Sequence, residues 1–205
     1  MSVGSEMKKI FLAMLLLVAA TAHAGVSVWT HRNDNSRTGA NLGETQLTPA
    51  NINTAQFGKL WDYEVDASVY AQPLVIQGVT IPGLGTHNVL LVATMNNTVY
   101  AFDADTNAGQ NVAPLWEVNF NDPATGEIPP RATDLFGGVA NIDLLSPVGI
   151  VGTPVVDTTA GTVYLVARTK KNGVNYQRLH ALDLTTGAER ANSPVTVAAS
   201  VPGTG

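Results

Sequence analysis

The chain is expected to fold as an all-β protein, and three observations point that way. Apolar runs of four to eight residues, rich in Val, Leu and Tyr, are bounded by Gly, Asn, Asp or Pro, which is strand patterning. After residue 24 no stretch keeps the 3.6-residue apolar period of a helix. The 19 Gly and 11 Pro are spread along the chain, as many turns between short strands require. A single turn of helix near residues 49–56 is the one expected exception.

Residues 1–24 read as a secretory signal. Lys8 and Lys9 precede the apolar run Ile10–Ala20, and Thr21-Ala22-His23-Ala24 offers small residues for a cut after Ala24. A helix over that run would rise about 16 Å, short of the roughly 30 Å of a bilayer core. Met7, directly before Lys8, is a second candidate start. The expectation is export to a periplasmic or extracellular location, with no membrane span after signal removal.

Residues 25–60 form an N-terminal lead-in, and Trp61 opens a first unit over 61–118. Its strands are Leu74–Ile76 behind Pro73, Asn88–Met95, and Thr98–Asp103, and Trp116 closes it. The near-continuous apolar character of Asn88–Met95 predicts cover on both faces of the sheet. Residues 119–148 then form a long loop containing Asn121-Asp-Pro-Ala-Thr-Gly-Glu-Ile-Pro-Pro130. A second unit spans 149–190, with Val155–Asp157 behind Pro154, Thr162–Ala167, a Lys170–Gly173 turn and Gln177–Asp183.

The two units share spacing. Pro154 follows Pro73 by 81 residues, and Ala181 follows Ala101 by 80. Each unit ends on an Asp, Asp103 or Asp183, whose carboxylate can bond backbone N–H groups two or three residues on; Asn107 or Gly187 then takes the left-handed position. A Trp such as Trp116 can pack on the Ala of the preceding strand and cover apolar area between sheets. Residues 191–205 read as the start of a further unit, with Pro194–Ala198 its first strand.

Val99-Tyr-Ala-Phe-Asp103 with Leu115-Trp116, and Leu179-His-Ala-Leu-Asp183 with Thr186-Gly187, resemble the repeat of quinoprotein-type β-propellers, the pyrroloquinoline-quinone-like repeats. Trp29–Arg37, Leu47–Ile52 and Leu60-Trp61 are similar to the N-terminal part of such proteins. The resemblance covers roughly Trp29 to Gly187. It implies a propeller whose N-terminal blades are present here, because propellers close with about 4–8 blades and only two are counted. The chain departs from the pattern after Gly187, where Arg190, Ala191 and Asn192 stand in place of a Trp. The units are also longer than the usual blade of about 40–45 residues, the excess lying in 118–151.

Composition and motifs narrow the chemistry. The chain has no cysteine, carries 11 Lys+Arg against 16 Asp+Glu, and is 13% charged. This excludes thiolate chemistry and cysteine-ligated metals, and makes nucleic acid a poor partner. The resemblance implies pyrroloquinoline quinone with calcium only if the chain is a sugar or alcohol dehydrogenase. In such enzymes an acidic residue precedes the first-blade Pro, whereas Ser68–Pro73 holds no acid. Asp103-x-Asp105-x-Asn107 has the opening spacing of a calcium loop, but Ala108 and Pro114 occupy its Gly and Glu positions. His31, His87 and His180 are isolated, and packing is the expected role of His180. No catalytic residue, metal ligand or cofactor is evident. The expected function is a non-catalytic binding or scaffolding module, with a protein or small-molecule ligand on a propeller face and the loop 119–146 governing its choice; the alternative is the N-terminal part of a quinone-dependent dehydrogenase.

Overall fold

The computed structural model describes residues 25–199 apart from 46, 56, 107–112, 136, 139–143, 145 and 146. The signal and Ser200–Gly205 lie outside the described residues, as do Asn107 and Ala108.

The protein is all-β, built from two four-stranded antiparallel sheets. The first is a meander of β1 (Leu74–Ile81), β2 (Gly85–Ala93), β3 (Thr98–Asp103) and β4 (Trp116–Asn119). The second is a meander of β5 (Val155–Asp157), β6 (Thr162–Lys171), β7 (Val174–Asp183) and β8 (Val195–Thr196). Between them lie a 3₁₀ turn, Pro123–Thr125, and the one-turn helix α1, Ala132–Leu135. Around residue 52 the chain makes isolated turns, with Ile52 N–H donating to Thr48 O and Phe57 N–H to Asn53 O, and no helix is assigned among the described residues of this stretch. Among the described residues no helix is long and apolar enough to cross a membrane.

The pairing rows of the sheets correspond. In the first, Leu74, Leu91, Ala101 and Trp116 stand side by side; in the second, Val155, Tyr164 and Ala181 do. The next rows are Ala93, Val99 and Val118 against Val166, Leu179 and Val195. The second sheet therefore has a fourth strand. Sequence patterning assigned 191–205 to a further unit, and the structure corrects this, because Val195 pairs with Leu179 inside the second sheet. From Leu115, whose N–H bonds Ala101 O, to Val118 is three residues. From Arg190, bonded likewise to Ala181 O, to Val195 is five. The two additional residues fold into a turn with Asn192 at φ 65°, which sets the strand apart from the spacing of the first unit.

Side chains alternate across each strand, and both faces of the first sheet are used. Leu74, Leu91, Val99, Ala101 and Trp116 pack in one cluster with Val156, Val163, Leu165 and Leu182 of the second sheet. Each fully buried Val or Leu among them contributes about 1.5–3 kcal/mol. On its other face, Val92, Tyr100 and Phe102 form a second cluster beneath Tyr63 and Val65. Cover on both faces explains the continuous apolar run in β2. The lead-in joins both sheets at their β1 and β5 edges: Val28 pairs with Val75, and Val156 N–H donates to Trp29 O at 2.8 Å.

Candidate functional site

The residues singled out in the sequence serve the framework. Ala101 and Trp116 are register partners. The Trp116 ring reaches across to the second sheet, where its Nε1–H donates to Leu184 O at 3.0 Å. Gly187, at φ 71°, sits beneath it, and a Cβ there would lie 2.5 Å from Trp116 Cε3. Asp103 Oδ1 accepts from the N–H groups of Asp105 and Thr106, and Asp183 Oδ1 from that of Thr185. The Thr185 hydroxyl, outweighing burial, holds the Asp183 carboxyl below the usual carboxylate range. Pro73 is exposed, Pro154 buried and Trp61 half-buried. His180 is buried, its ring tilted 31° against Phe120 at 3.9 Å and bonded to Glu189 at 2.8 Å.

The calcium-like spacing at Asp103 and Asp105 is engaged otherwise. His87 Nδ1 bonds Asp103 Oδ2 at 2.7 Å, and Asn88 Nδ2 donates to Asp105. The Asp103 bond raises the His87 pKa above the ordinary imidazole value. Among the described residues no group of three or more His, Cys, Asp or Glu is placed to hold a metal.

Asp66 is a residue that sequence reasoning passed over. It accepts from Thr94 Oγ1 at 2.7 Å, Asn96 Nδ2 at 2.8 Å and Thr98 Oγ1. Burial pushes its carboxyl up, but these three donors outweigh it and hold the pKa below the usual range. Both oxygens are spent on the β2–β3 turn.

A feature with room for a ligand lies where the insert between the sheets meets an extended hairpin. The insert is 119–148. The hairpin is the β6–β7 arm, which continues for five residue pairs, Ala167–Arg178 to Lys171–Val174, beyond the Val166–Leu179 row. In the first sheet the equivalent hairpin closes at Asn96-Asn97. The insert is fastened to the arm. Asp122 caps the turn Pro123–Thr125 and bridges Glu127, which aims the next residues at β6. Ile128 and Lys170 then exchange both backbone hydrogen bonds, at 3.2 and 2.7 Å.

Charge completes the attachment. Glu127 accepts from Thr169 Oγ1 at 2.7 Å and from Arg178, with Lys171 Nζ at 3.7 Å. Asp134 of α1 pairs with Lys170 at 2.6 Å. The Thr169 hydroxyl, followed by Arg178, holds the Glu127 carboxyl below the usual range; Lys170 does the same for Asp134. Val148 N–H bonds Pro130 O, joining the two arms of the insert. Gly149 follows, so close to the first sheet that a Cβ would lie 2.5 Å from Met95 O.

Insert and arm enclose an open cleft of about 590 Å³. Leu135, Val148 and Val151 form its apolar wall, against a third buried cluster containing Met95 and Ala132. Arg168, Asn175 and Gln177 supply polar groups from the opposite side. A mostly apolar wall with a few polar groups is the usual make-up of a small-molecule site, and the volume is in the usual range of about 300–1,000 Å³. The sequence placed a loop here but not its partner. The available signals were the length of the hairpin around Lys170–Gly173 and the match of Glu127 and Asp134 with Lys170, Lys171 and Arg178.

Set against known protein families, curated proteins and solved structures, the chain matches none.

Proposed function

We propose that the two sheets are successive blades of an exported, quinoprotein-type β-propeller that acts as a non-catalytic binding or scaffolding module. The cleft between insert and β6–β7 arm is its ligand site. The observation that carries this reading is the fastening of the insert: a backbone bridge and two ion-pair clusters fix it as a wall. Rigid walls around apolar and polar groups favour binding without further ordering cost. The matched pairing rows and the docking of Trp116 over Gly187 support the blade reading. The spent carboxylate of Asp66 favours binding over quinone chemistry.

The test has two arms on the purified mature chain. A thermal-shift screen of small, partly apolar compounds should yield binders, and Asn175→Trp, an exposed change on the cleft wall, should abolish the shift while leaving the ligand-free Tm unchanged. Addition of pyrroloquinoline quinone with calcium should give no dye-linked oxidation of sugars or alcohols. Oxidation in that second arm would overturn the reading in favour of a dehydrogenase. Binders indifferent to Asn175→Trp would overturn the assignment of the cleft.

A further inference from the structure

The cleft between insert and arm holds a cation whose charge is unmatched. Residues 167–178 of the arm carry four cations, Arg168, Lys170, Lys171 and Arg178, and no acid, in a chain of net charge −5. The carboxylates that meet them from the insert are Glu127 and Asp134. Lys170 takes Asp134, while Lys171 and Arg178 share Glu127. Arg178 also lies over the Tyr176 ring at 4.8 Å. Arg168 is left over: among the described residues its guanidinium has no ion pair and no hydrogen bond, and it is the one charged residue lining the cleft. Its backbone is held from the first sheet, because its carbonyl accepts from Nδ2 of the fully buried Asn97 at 2.8 Å. Its register partner is Gln177, and Asn175 follows on the same face of β7; both carboxamides line the cleft beside it. The facing wall of Leu135, Val148 and Val151 is apolar. Gly152 keeps the space open. A Cβ there would meet no atom within 4 Å and the backbone is not left-handed, so neither packing nor strain calls for glycine.

We infer that the cleft selects an organic monocarboxylate with a short apolar body, its carboxylate held by Arg168 and its hydrocarbon laid against Leu135, Val148 and Val151. The inference rests on the reading of this cleft as a ligand site and names the chemistry the site takes. A guanidinium presents a planar fork of N–H donors that matches both oxygens of a carboxylate. One unmatched positive charge suits a monoanion. A phosphate dianion would call for a second free cation, and Lys170, Lys171 and Arg178 are committed to the insert. Gln177 and Asn175 donate through neutral amide groups, so they add hydrogen bonds to the anion without adding charge. The half-buried position of Arg168 strengthens the pair over one in open water. The anchored backbone lowers the cost of ordering the arm around the ligand.

Calorimetric titration of the mature chain with octanoate and with its neutral isostere octanamide tests the charge. Octanoate should bind at least about tenfold more tightly, the worth of one charge-assisted hydrogen bond. Arg168→Gln should weaken octanoate by about the same factor and leave octanamide unchanged. Its ligand-free Tm should match that of the native chain, since the guanidinium bonds nothing in the fold. Arg168→Lys should recover part of the loss, because it restores the charge without the fork. Gly152→Phe should exclude both probes by filling the space above residue 152. Equal affinity for the two probes, both lost in Gly152→Phe, overturns the carboxylate and leaves the cleft a ligand site. So does failure of both probes where neutral compounds bind and are lost in Asn175→Trp. Octanoate binding that survives Gly152→Phe and Asn175→Trp overturns the inference and the cleft together. Asp143 precedes the lining residue Leu144 and lies outside the described residues. A gain of about tenfold for octanoate in Asp143→Asn would mean that Arg168 is already paired, and that result also overturns the inference.

Discussion

Trp116 lies across Gly187, at a point where a single additional carbon would be 2.5 Å from its ring. Trp116 belongs to the first sheet and Gly187 to the turn that follows β7 of the second, and the indole N–H fixes the approach by donating to Leu184 O three residues before the glycine. The ring is 8% exposed and belongs to the cluster that joins the sheets. Its removal should leave a cavity that the surrounding strands cannot close.

Trp116→Ala should therefore cost roughly 3–5 kcal/mol, as truncation of a buried aromatic does. Denaturant unfolding of the mature chain measures it. A loss under about 0.5 kcal/mol, the usual surface value, would place the ring outside the interface.

Much of this framework was legible in the sequence, for a physical reason. Thr98–Asp103 and Leu74–Ile76 are buried on both faces or on alternate positions, so their apolar pattern is local and readable. Gly187 was legible because a turn at φ 71° favours glycine over most side chains. The strand at Val195 was legible but its place was not: Asn192 and its neighbours separate it from the first-unit spacing, and its pairing with Leu179 appears only in the fold. The attachment of the insert was not legible either: Glu127 meets Arg178 across 51 residues, and no local pattern encodes so distant a pairing. Asp66 escaped notice because its partners Thr94, Asn96 and Thr98 gather only once the β2–β3 turn has closed.

Acid should loosen the insert before it unfolds the sheets. Glu127 and Asp134 both have folded pKa values below their ordinary ones. Groups depressed in this way stabilise fully above the unfolded pKa, about 4.3 for Glu and 3.9 for Asp. That stability is lost as pH falls through the folded values. Hydrogen-exchange protection of the Ile128 and Lys170 amides, corrected for intrinsic rate, should hold from pH 7 to about pH 4.5 and drop below it, while that of Leu91 and Val99 persists. Simultaneous loss at all four amides would contradict an independently fastened insert.

Export should remove residues 1–24. The small residues Ala22 and Ala24 motivate the cut, and N-terminal sequencing of the exported protein should begin at Gly25. A retained Met1 or Met7 on exported protein would refute it.

The docking of one sheet on the other is tested most directly by a double-mutant cycle on its central pair. Gly187→Ala in the native background meets both a left-handed backbone and the Trp116 ring. In the Trp116→Ala background only the backbone cost of about 1 kcal/mol remains. The account predicts that the penalty of Gly187→Ala falls by at least about 1 kcal/mol when Trp116 is absent, a coupling characteristic of residues in contact. Additivity within about 0.3–0.5 kcal/mol, as for independent sites, would mean that Trp116 and Gly187 do not touch, and the two sheets would not be docked in the way described.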